Sequence, residues 1–326
     1  MSIVVSISCI TYNHEKYVAQ ALQGFINQNT EFRYEILVHD DASTDRTPVI
    51  IRQYAEQYPD LIKPILQTEN QYSKGLRVAT VHNFPRAQGK YVAFCEGDDF
   101  WTDPLKLQKQ VYFMESNPLY SLCFHGVEVV DKDGRPTGRA VRPYACSQDV
   151  PIEDIILGIG EYHRTCSLLA RADCMHNLPA FYFRAPAGDL ALILSLAARG
   201  KVYYLEEVMA SYRSGIAGSW TSQLALSAEK QVRLRTGLLQ MFAEFDEFTG
   251  YRYRESVAQR RHRTQFLISL ARGDIKTLGL PEYKRYRDEI SRYLLVKVCL
   301  RNSFPNAYRT LRKLYDNIDD FRNNRG

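Results

Sequence analysis

Apolar and polar positions alternate along the first hundred residues in a way that separates strands from helices. Four short apolar runs, rich in β-branched and aromatic residues, predict buried strands. These runs lie at 3–10, 34–39, 61–66 and 91–95. Between them, apolar residues recur every three or four positions over about 15–28, 47–58 and 76–87, which predicts amphipathic helices. This alternation predicts an α/β fold with an open, mostly parallel sheet flanked by helices.

The following residues are less regular, and the last hundred are helical in pattern. We expect helices at 104–117 and 189–198, strands at 119–130, 162–170, 202–205 and 208–212, a hairpin turn at 131–134, and a loop over 135–150. From residue 222 onward, helices are predicted near 222–247, 253–272, 281–302 and 306–321. The pattern divides the chain into an α/β domain at 1–221, with halves 1–103 and 104–221, and a helical C-terminal domain at 222–326.

An acidic turn follows the strand predicted at 91–95. Its sequence is Glu96-Gly97-Asp98-Asp99, and Asp103-Pro104 follows with the pattern of a helix start. Adjacent carboxylates repel each other unless a cation lies near them. Mg²⁺ and Mn²⁺ prefer oxygen ligands and share them with substrate phosphates. The turn therefore predicts a divalent cation site, although Gly-Asp-Asp is also an ordinary polar turn.

Polar side chains also follow two other predicted strands, at Thr11–Asn13 and at Asp40-Asp41. In open α/β sheets, ligands bind at the carboxyl ends of the strands. We therefore expect these residues to converge with Asp98-Asp99 on one site. The first strand lacks the glycine fingerprint of a dinucleotide fold, and the sequence contains no P-loop. A hydride-transfer enzyme and a P-loop nucleotidase are disfavoured.

Composition and charge indicate the expected cellular location and the kind of surface that the protein meets. No apolar run approaches the ~20 residues of a membrane-spanning helix, and no signal peptide pattern precedes the first strand, so we expect a cytoplasmic location. The seven cysteines are scattered and include no CxxC pair, which indicates reduced core residues. The net charge of +5 divides into about −4 over 1–223 and +9 over 224–326, which suggests that the C-terminal part meets an anionic surface.

Several separated motifs together resemble the family 2 glycosyltransferases, bacterial inverting enzymes with a GT-A fold that use nucleotide-diphosphate sugars. The matching stretches are Ser8–Tyr17, Glu35–Thr47 and Glu96–Leu107, and the pairs Gly188-Asp189 and Tyr212-Arg213 extend the match. The resemblance covers about residues 1–221. It implies a GT-A fold, a Rossmann-like sheet flanked by helices.

The resemblance also implies how the donor is bound. Thr11, Tyr12 and Asn13 would line the nucleotide pocket, and Asp41, supported by Asp40, would accept an N–H of uracil or thymine. Asp98 would lie near the ribose. Asp99 would ligate Mn²⁺ or Mg²⁺ on the diphosphate.

For the transfer step, the resemblance implies Asp189 as general base and Arg213 as a contact of the departing diphosphate. A carboxylate within hydrogen-bond reach of an acceptor hydroxyl can remove its proton. Trp101 and Trp220 are the expected contacts of a sugar or acceptor, and Trp101 could equally be a core residue. The loop 135–150 and the segment 214–220 are candidates for excluding water.

The chain departs from close relatives in this family at three places. Gly215 stands where a His is frequent, and Gly218-Ser219 replaces a Gly-Gly pair before the tryptophan. Gly188-Asp189 replaces the commoner Glu-Asp pair, which leaves a single candidate base.

The predicted C-terminal helices combine basic residues with an apolar stretch. Residues 251–263 are dense in Arg and Tyr, and 292–301 is an apolar stretch bracketed by arginines. Basic helices with an apolar face bind anionic lipid, so an anionic membrane surface is one candidate partner. A helical packing or dimerisation domain, with a second copy of the chain as partner, explains the pattern equally well. No nucleic-acid-binding motif accompanies the charge.

The sequence therefore predicts an inverting, metal-dependent transferase that moves a sugar from a UDP- or dTDP-linked donor to a glycan or lipid-linked acceptor in bacterial surface polysaccharide or glycan assembly. One rival is a nucleotidyltransferase on a similar sheet, which would use a triphosphate donor. The other is a non-catalytic scaffold that acts through its basic helical tail.

Overall fold

The structure is a computed structural model that describes residues 2–159, 164–216, 219, 224, 227–290, 295 and 298. Trp220 and most of the predicted helices at 281–302 and 306–321 lie outside the described residues. No helix in the described part of the chain is both long and apolar enough to cross a membrane.

Ten strands and ten α-helices are described. The strands are β1 Ile3–Thr11, β2 Arg33–Asp40, β3 Ile62–Leu66, β4 Tyr91–Phe94, β5 Phe100–Trp101, β6 Tyr120–Val130, β7 Pro136–Val141, β8 Gln148–Val150, β9 Leu169–Arg171 and β10 Lys201–Arg213. The helices are α1 Val18–Ile26, α2 Thr47–Gln57, α3 Lys106–Ser116, α4 Ile152–Leu157, α5 Ala180–Arg184, α6 Gly188–Ala197, α7 Ala228–Phe248, α8 Arg254–Arg272, α9 Ile275–Leu278 and α10 Lys284–Glu289.

All strands belong to one mixed sheet in the order β3-β2-β1-β4-β9-β6-β10-β5, with β7 paired to β6 and β8 paired to β10. The first four strands are parallel, as predicted. Strand β9 is antiparallel to both β4 and β6, whereas β6 and β10 run parallel. The predicted α/β sheet with flanking helices is confirmed, with an antiparallel component in its second half.

Several predicted elements differ from the structure. The helix predicted at 76–87 is a π turn at Ala79–Asn83 followed by a 3₁₀ turn at Phe84–Arg86. Pro85 cannot donate a helical hydrogen bond, and the buried amide of Asn83 donates instead to Ser8 Oγ and to the carbonyls of Cys9 and Leu37. These contacts tie the turn to the sheet, and a regular α-helix does not form.

The predicted loop at 135–150 contains β7 and β8, and in the described part of the strand predicted at 162–170 only Leu169 and Ala170 belong to β9. The two strands predicted at 202–205 and 208–212 are one strand, β10, with a register shift between Leu205 and Val208. Helix α3 begins at Lys106, although Asp103 was expected to cap it and Pro104 to begin it. Asp103 still contributes locally, since its carboxylate accepts from the Leu105 N–H.

Two hydrophobic clusters cover the two faces of the sheet. One joins β1 and β2 to α1 and α3. The other joins β4, β6 and β10 to α6, and it also includes Phe242 and Phe245 of α7 and Val257 of α8. Burying each such aromatic side chain contributes roughly 1.5–3 kcal/mol. The first C-terminal helices therefore share the core of the sheet.

The cysteines of the described chain are free, and Cys9, Cys95, Cys123 and Cys166 are buried. These four are core residues, as predicted, whereas Cys146 is exposed and Cys174 is partly buried.

Candidate active site

The ends of β1 and β2 meet as the sequence predicted. Thr11 lies opposite Asp40 in the parallel register, and its Oγ1 donates to Asp40 Oδ1 at 2.9 Å. Asp40 also accepts from the Ser43 hydroxyl at 2.5 Å and from the Ser43 N–H at 3.1 Å. Asp40 is buried, and these partners make it a support for the loop that follows β2.

The loop after β1 is fixed against the loop after β2. Asn13 adopts a left-handed backbone with φ 56°, which asparagine tolerates better than most residues. Its N–H donates to Ser43 Oγ at 2.8 Å, and its Oδ1 accepts from the Thr44 N–H at 2.8 Å. Tyr12 is left 46% exposed at this edge of the sheet, where its ring can meet a ligand.

Asp41 holds a third loop. Its Oδ1 accepts from the Gln71 N–H at 2.8 Å, and its Oδ2 accepts from the Tyr72 N–H at 3.0 Å. The side chain of Asn70 donates to the Asp41 carbonyl at 3.0 Å. Each carboxylate oxygen has a second lone pair, so Asp41 can accept a nucleobase N–H in addition to the two N–H groups of this loop.

Gly97 brings the acidic turn close to the first loop. A Cβ at this position would lie 2.8 Å from Thr11 Cγ2 and 3.1 Å from His14 Nδ1, so a larger residue would clash. The next residue, Asp98, points toward the same loop, with its Oδ2 3.7 Å from His14 Nε2 and 22% of its side chain exposed.

The side chain of Asp99 points away from the first loop. It is 3% exposed, and its Oδ1 accepts from the backbone N–H of Arg213 at 2.8 Å. The antiparallel pairing of β5 with β10 brings these two residues together across the sheet. Burial, and then the charges of Asp98 and Glu96, raise the pKa of Asp99 well above its usual value.

Arg213 is buried and bonded to the protein. Its Nε donates to the Asp98 carbonyl at 2.9 Å, and its Nη2 donates to Gln20 Oε1 at 2.8 Å. Its guanidinium also lies 4.6 Å from the centre of the Tyr17 ring. In this structure Arg213 holds the backbone of the acidic turn, which differs from the direct diphosphate contact expected from the sequence.

The geometry changes the expected place of a cation. Asp99 was the expected ligand, but its carboxylate is buried and already accepts an N–H. The more open Asp98 offers a hard oxygen donor. In the part of the chain that is described, no group of three or more His, Cys, Asp or Glu side chains could hold a metal. A cation held at Asp98 would take further ligands from substrate phosphates, as Mg²⁺ commonly does.

Glu96 is a site residue that sequence reasoning did not single out. Burial, then the charge of Asp98 and, least of the three, the charge of Asp189 raise its pKa to about 8. Asp98 and Asp189 therefore both lie within electrostatic range of Glu96. The adjacency of Glu96 to Gly97-Asp98 was the available signal, but no sequence pattern shows how deeply a side chain is buried.

Asp189 lies in the first turn of α6, where the sequence placed it. It is exposed, and its Oδ1 accepts from the Leu190 N–H at 2.7 Å. The partial positive charge of a helix N-terminus favours the ionised form of a carboxylate. Asp189 is thus accessible to solvent at this helix N-terminus.

Arg77 is a second residue that the sequence did not reveal. Its Nη2 donates to the carbonyls of Tyr182 and Ala185, just before α6. A Cβ on Gly188 would lie 2.5 Å from Arg77 Nη1, so the guanidinium occupies the space that a side chain at 188 would need. The Gly188 that replaces the commoner acidic residue therefore makes room for Arg77.

Trp101 is a core residue in this structure, which corrects its expected role as a sugar contact. It is 4% exposed, and its Nε1 donates to the Cys166 carbonyl at 2.9 Å. Phe25 contacts the ring edge-on, and Lys106 Nζ lies 4.0 Å from its centre. No face of the ring is left for a sugar.

Comparison with known proteins identifies a matching family and sequence relatives of this chain. The model of the family described as glycosyl transferase family 2 matches residues 6–173. A putative teichuronic acid biosynthesis glycosyltransferase, TuaG of Bacillus subtilis, is 30% identical over 212 residues, which cover 64% of this chain and 79% of that protein. An uncharacterized protein of Mycobacterium tuberculosis is 38% identical over 218 residues, which cover 67% of this chain and 61% of that protein. The match thus spans about three fifths of the mycobacterial relative.

Two solved structures share the fold. Staphylococcus aureus TarS 1–349 in complex with UDP superposes with a TM-score of 0.55 at 17% identity and covers 89% of this chain and 93% of that chain. The mannosyltransferase PcManGT from Pyrobaculum calidifontis, in complex with GDP-Man and Mn²⁺, gives a TM-score of 0.58 at 17% identity, over 94% and 88% of the two chains. At these identities the likeness is one of fold.

Proposed function

The chain belongs to glycosyl transferase family 2, and from this premise we propose that it transfers a sugar, with inversion, from a nucleotide-diphosphate sugar to a hydroxyl of a glycan or lipid-linked acceptor. The observation that carries the proposal is a set of carboxylates: Asp41 after β2, Asp98 after β4, and Asp189 at the start of α6, whose charge acts on Glu96 beside the acidic turn. The relative TuaG, named for teichuronic acid biosynthesis, supports a role in surface polysaccharide assembly.

The first two loops form the donor end of the site. Tyr12 is exposed beside the Asn13 turn, and Asp41 can accept an N–H while Thr11 and Asp40 hold the strand ends together. Uracil and thymine present such an N–H, so we assign UDP- or dTDP-sugars as donors. The UDP complex of TarS supports this assignment, whereas the GDP-Man complex of PcManGT makes GDP-sugars the alternative to test.

Asp189 would remove the proton of the acceptor hydroxyl as that oxygen attacks the anomeric carbon. General base catalysis of this kind contributes about 10²- to 10⁴-fold to rate. The N-terminus of α6 favours the ionised carboxylate at neutral pH. Since Gly188 cannot act as a base, Asp189 carries this step alone in our proposal.

The departing diphosphate would leave beside Asp98. A bound Mn²⁺ or Mg²⁺ would neutralise the charge that develops on the phosphates. Asp98 would hold that cation, and Arg213 would keep the Asp98 backbone in place through the Nε bond to its carbonyl. We propose that the reaction takes place at the cytoplasmic face of the membrane, where a lipid-linked acceptor would be presented.

A transfer assay tests this proposal. The full chain would be incubated with UDP-, dTDP- and GDP-sugars, Mn²⁺ and a panel of sugar and lipid-linked acceptors, and the released nucleoside diphosphate would be measured. We expect one donor class to turn over and Asp189→Asn to slow transfer at least ~100-fold without weakening donor binding. The exposed Asp60→Asn is the matched control. Release of pyrophosphate from a nucleoside triphosphate and a sugar phosphate would instead identify a nucleotidyltransferase.

A further inference from the structure

A cavity of about 140 Å³ lies between the C-terminal end of α4 and the helices α8 and α10. It is lined by Leu157, Ile159, Gln259, Arg260, Arg263, Arg285, Tyr286 and Glu289. None of these residues belongs to the candidate active site. Three of them are arginines, and we call this place the arginine cavity.

The charges of the arginine cavity do not balance. Among the described lining residues, three guanidinium groups accompany one carboxylate, Glu289, which leaves an excess of two positive charges there. The contacts of Glu289 are long for charged hydrogen bonds: 3.7 Å to Arg263 Nη2 and 3.4 Å to Arg285 Nε. Like charges this close repel one another, so an anion in the cavity would stabilise the arrangement.

Arg260 adds an independent observation. Its Nη1 donates to the Leu157 carbonyl at 2.8 Å, which fixes the guanidinium against the end of α4. Its Nε is buried and has no hydrogen-bond partner, and no carboxylate in the described part of the chain forms an ion pair with it. Burial, and then the charge of Arg263, lower the pKa of Arg260. The protein thus holds a partly buried cation without supplying its counter-charge.

Gly158 makes this placement of Arg260 feasible. It has a left-handed backbone with φ 66°, and a Cβ there would lie 2.5 Å from Arg260 Nη1. A larger residue would therefore need both a strained backbone and a displaced guanidinium.

From the cavity, its excess charge and the unpaired Nε of Arg260, we propose that the arginine cavity binds a phosphoryl group. The forked donors of arginine match phosphate oxygens, and two or three such groups around one anion make a specific site. The phosphoryl group belongs either to a free phosphate compound or to the headgroup of an anionic phospholipid. This site is separate from the transfer chemistry, and its existence does not depend on the function proposed above.

Two arginines of the cavity can be changed without touching the core. The double variant Arg263→Gln/Arg285→Gln removes two charges and leaves Arg260, which contacts Phe242 and α4, in place. The matched control is Arg261→Gln/Lys284→Gln. Arg261 and Lys284 are exposed, lie on or at the start of the same two helices and do not line the cavity, so the control removes the same charge nearby.

The first arm is calorimetric titration of the full chain with inorganic phosphate and with pyrophosphate, without divalent cations. We expect binding of one of them that weakens at least ~10-fold in the cavity variant and less than ~2-fold in the control. Thermal melting of each variant checks that it is folded. Absence of binding in the unchanged protein, or an equal loss in both variants, would overturn the proposal, because general surface charge affects both variants alike.

The second arm identifies the source of the phosphoryl group. The same proteins are sedimented at low salt with phosphatidylglycerol vesicles and with phosphatidylcholine vesicles. Binding to the anionic vesicles that is lost in the cavity variant and kept in the control assigns the cavity to a lipid headgroup. Phosphate binding without vesicle binding assigns it to a free phosphate compound.

Discussion

The carboxylates of the site are of two kinds. Asp40 and Asp99 are buried and accept hydrogen bonds from neighbouring protein groups. Asp98 and Asp189 are more open. Asp40 and Asp99 therefore fix the backbone, whereas Asp98 and Asp189 are accessible to a ligand. Asp41 combines the two roles in our proposal, because it is buried and accepts two N–H groups of the protein yet keeps lone pairs for a base.

His39 gives a prediction about pH. It is fully buried in β2, and burial, then the charge of His82, lower its pKa from 6.5 to about 4. Between these values the unfolded chain binds a proton that the folded chain does not, so the free energy of unfolding decreases as the pH falls from about 6.5 to about 4. His39→Leu should remove this contribution, which is at most about 3 kcal/mol. Urea unfolding at pH 7, 5.5 and 4.5 measures it.

The exposed His176→Leu is the control and should leave the pH dependence unchanged. An unaltered slope in His39→Leu would show that His39 does not remain neutral in the folded state.

Sequence could place the acidic residues at strand ends but could not show which of them face inward. Asp99 is buried because β5 pairs with β10, and that pairing joins residues more than 100 positions apart. Trp101 was ambiguous for the same reason, since its partner Cys166 is distant in sequence. Local pattern carries no information about such contacts.

At the scale of secondary-structure elements, hydrogen bonds link the start of α6 to the loops proposed to bind the donor. Asp41 holds the N–H groups of Gln71 and Tyr72, and a few residues later Arg77 holds the carbonyls before α6. The segment between them thus connects the proposed base-recognition residue to the helix that carries Asp189.

Gly188→Ala tests this link. Its new Cβ would lie 2.5 Å from Arg77 Nη1 and would displace the guanidinium from the carbonyls of Tyr182 and Ala185. We expect transfer to slow about 10-fold because Asp189 loses its position, whereas stability changes little, since alanine favours a helix over glycine by about 1 kcal/mol. Transfer rates and urea unfolding give the two quantities.

A double-variant cycle provides the control for this prediction. If the effect acts through Arg77, then Arg77→Ala and Gly188→Ala should together slow transfer little more than either does alone. Fully additive effects would show that the two residues act separately.

The regular elements were predictable where apolar runs were long and bounded by turns, as in β1, β2, α1 and α2. Prediction failed at 76–87, where buried Asn83 bonds to the sheet, and at 135–150, where β7 pairs with the preceding β6 and β8 pairs with the distant β10. Strand β7 is largely exposed, so it lacks the apolar alternation that identifies a strand.

For the whole molecule, the sequence divides the charge between an acidic body and a basic C-terminal part. The structure shows that α7 and α8 pack on the sheet core through Phe242, Phe245 and Val257. The domain boundary after residue 221 stays a prediction. Helices α7 and α8 are therefore attached to the sheet, and the arginine cavity forms where α8 and α10 meet α4.

The most direct test of the account is calorimetric titration with UDP, dTDP and GDP, each with and without Mn²⁺. We predict that one nucleoside diphosphate binds with a Kd of roughly 1–100 μM and that Mn²⁺ strengthens its binding. Asp98→Asn should abolish the effect of Mn²⁺. Asp99→Asn should preserve most of it, because an amide oxygen can still accept the Arg213 N–H. Absence of binding by all three would contradict the transferase account, and loss of the Mn²⁺ effect in Asp99→Asn alone would contradict the assignment of the cation to Asp98.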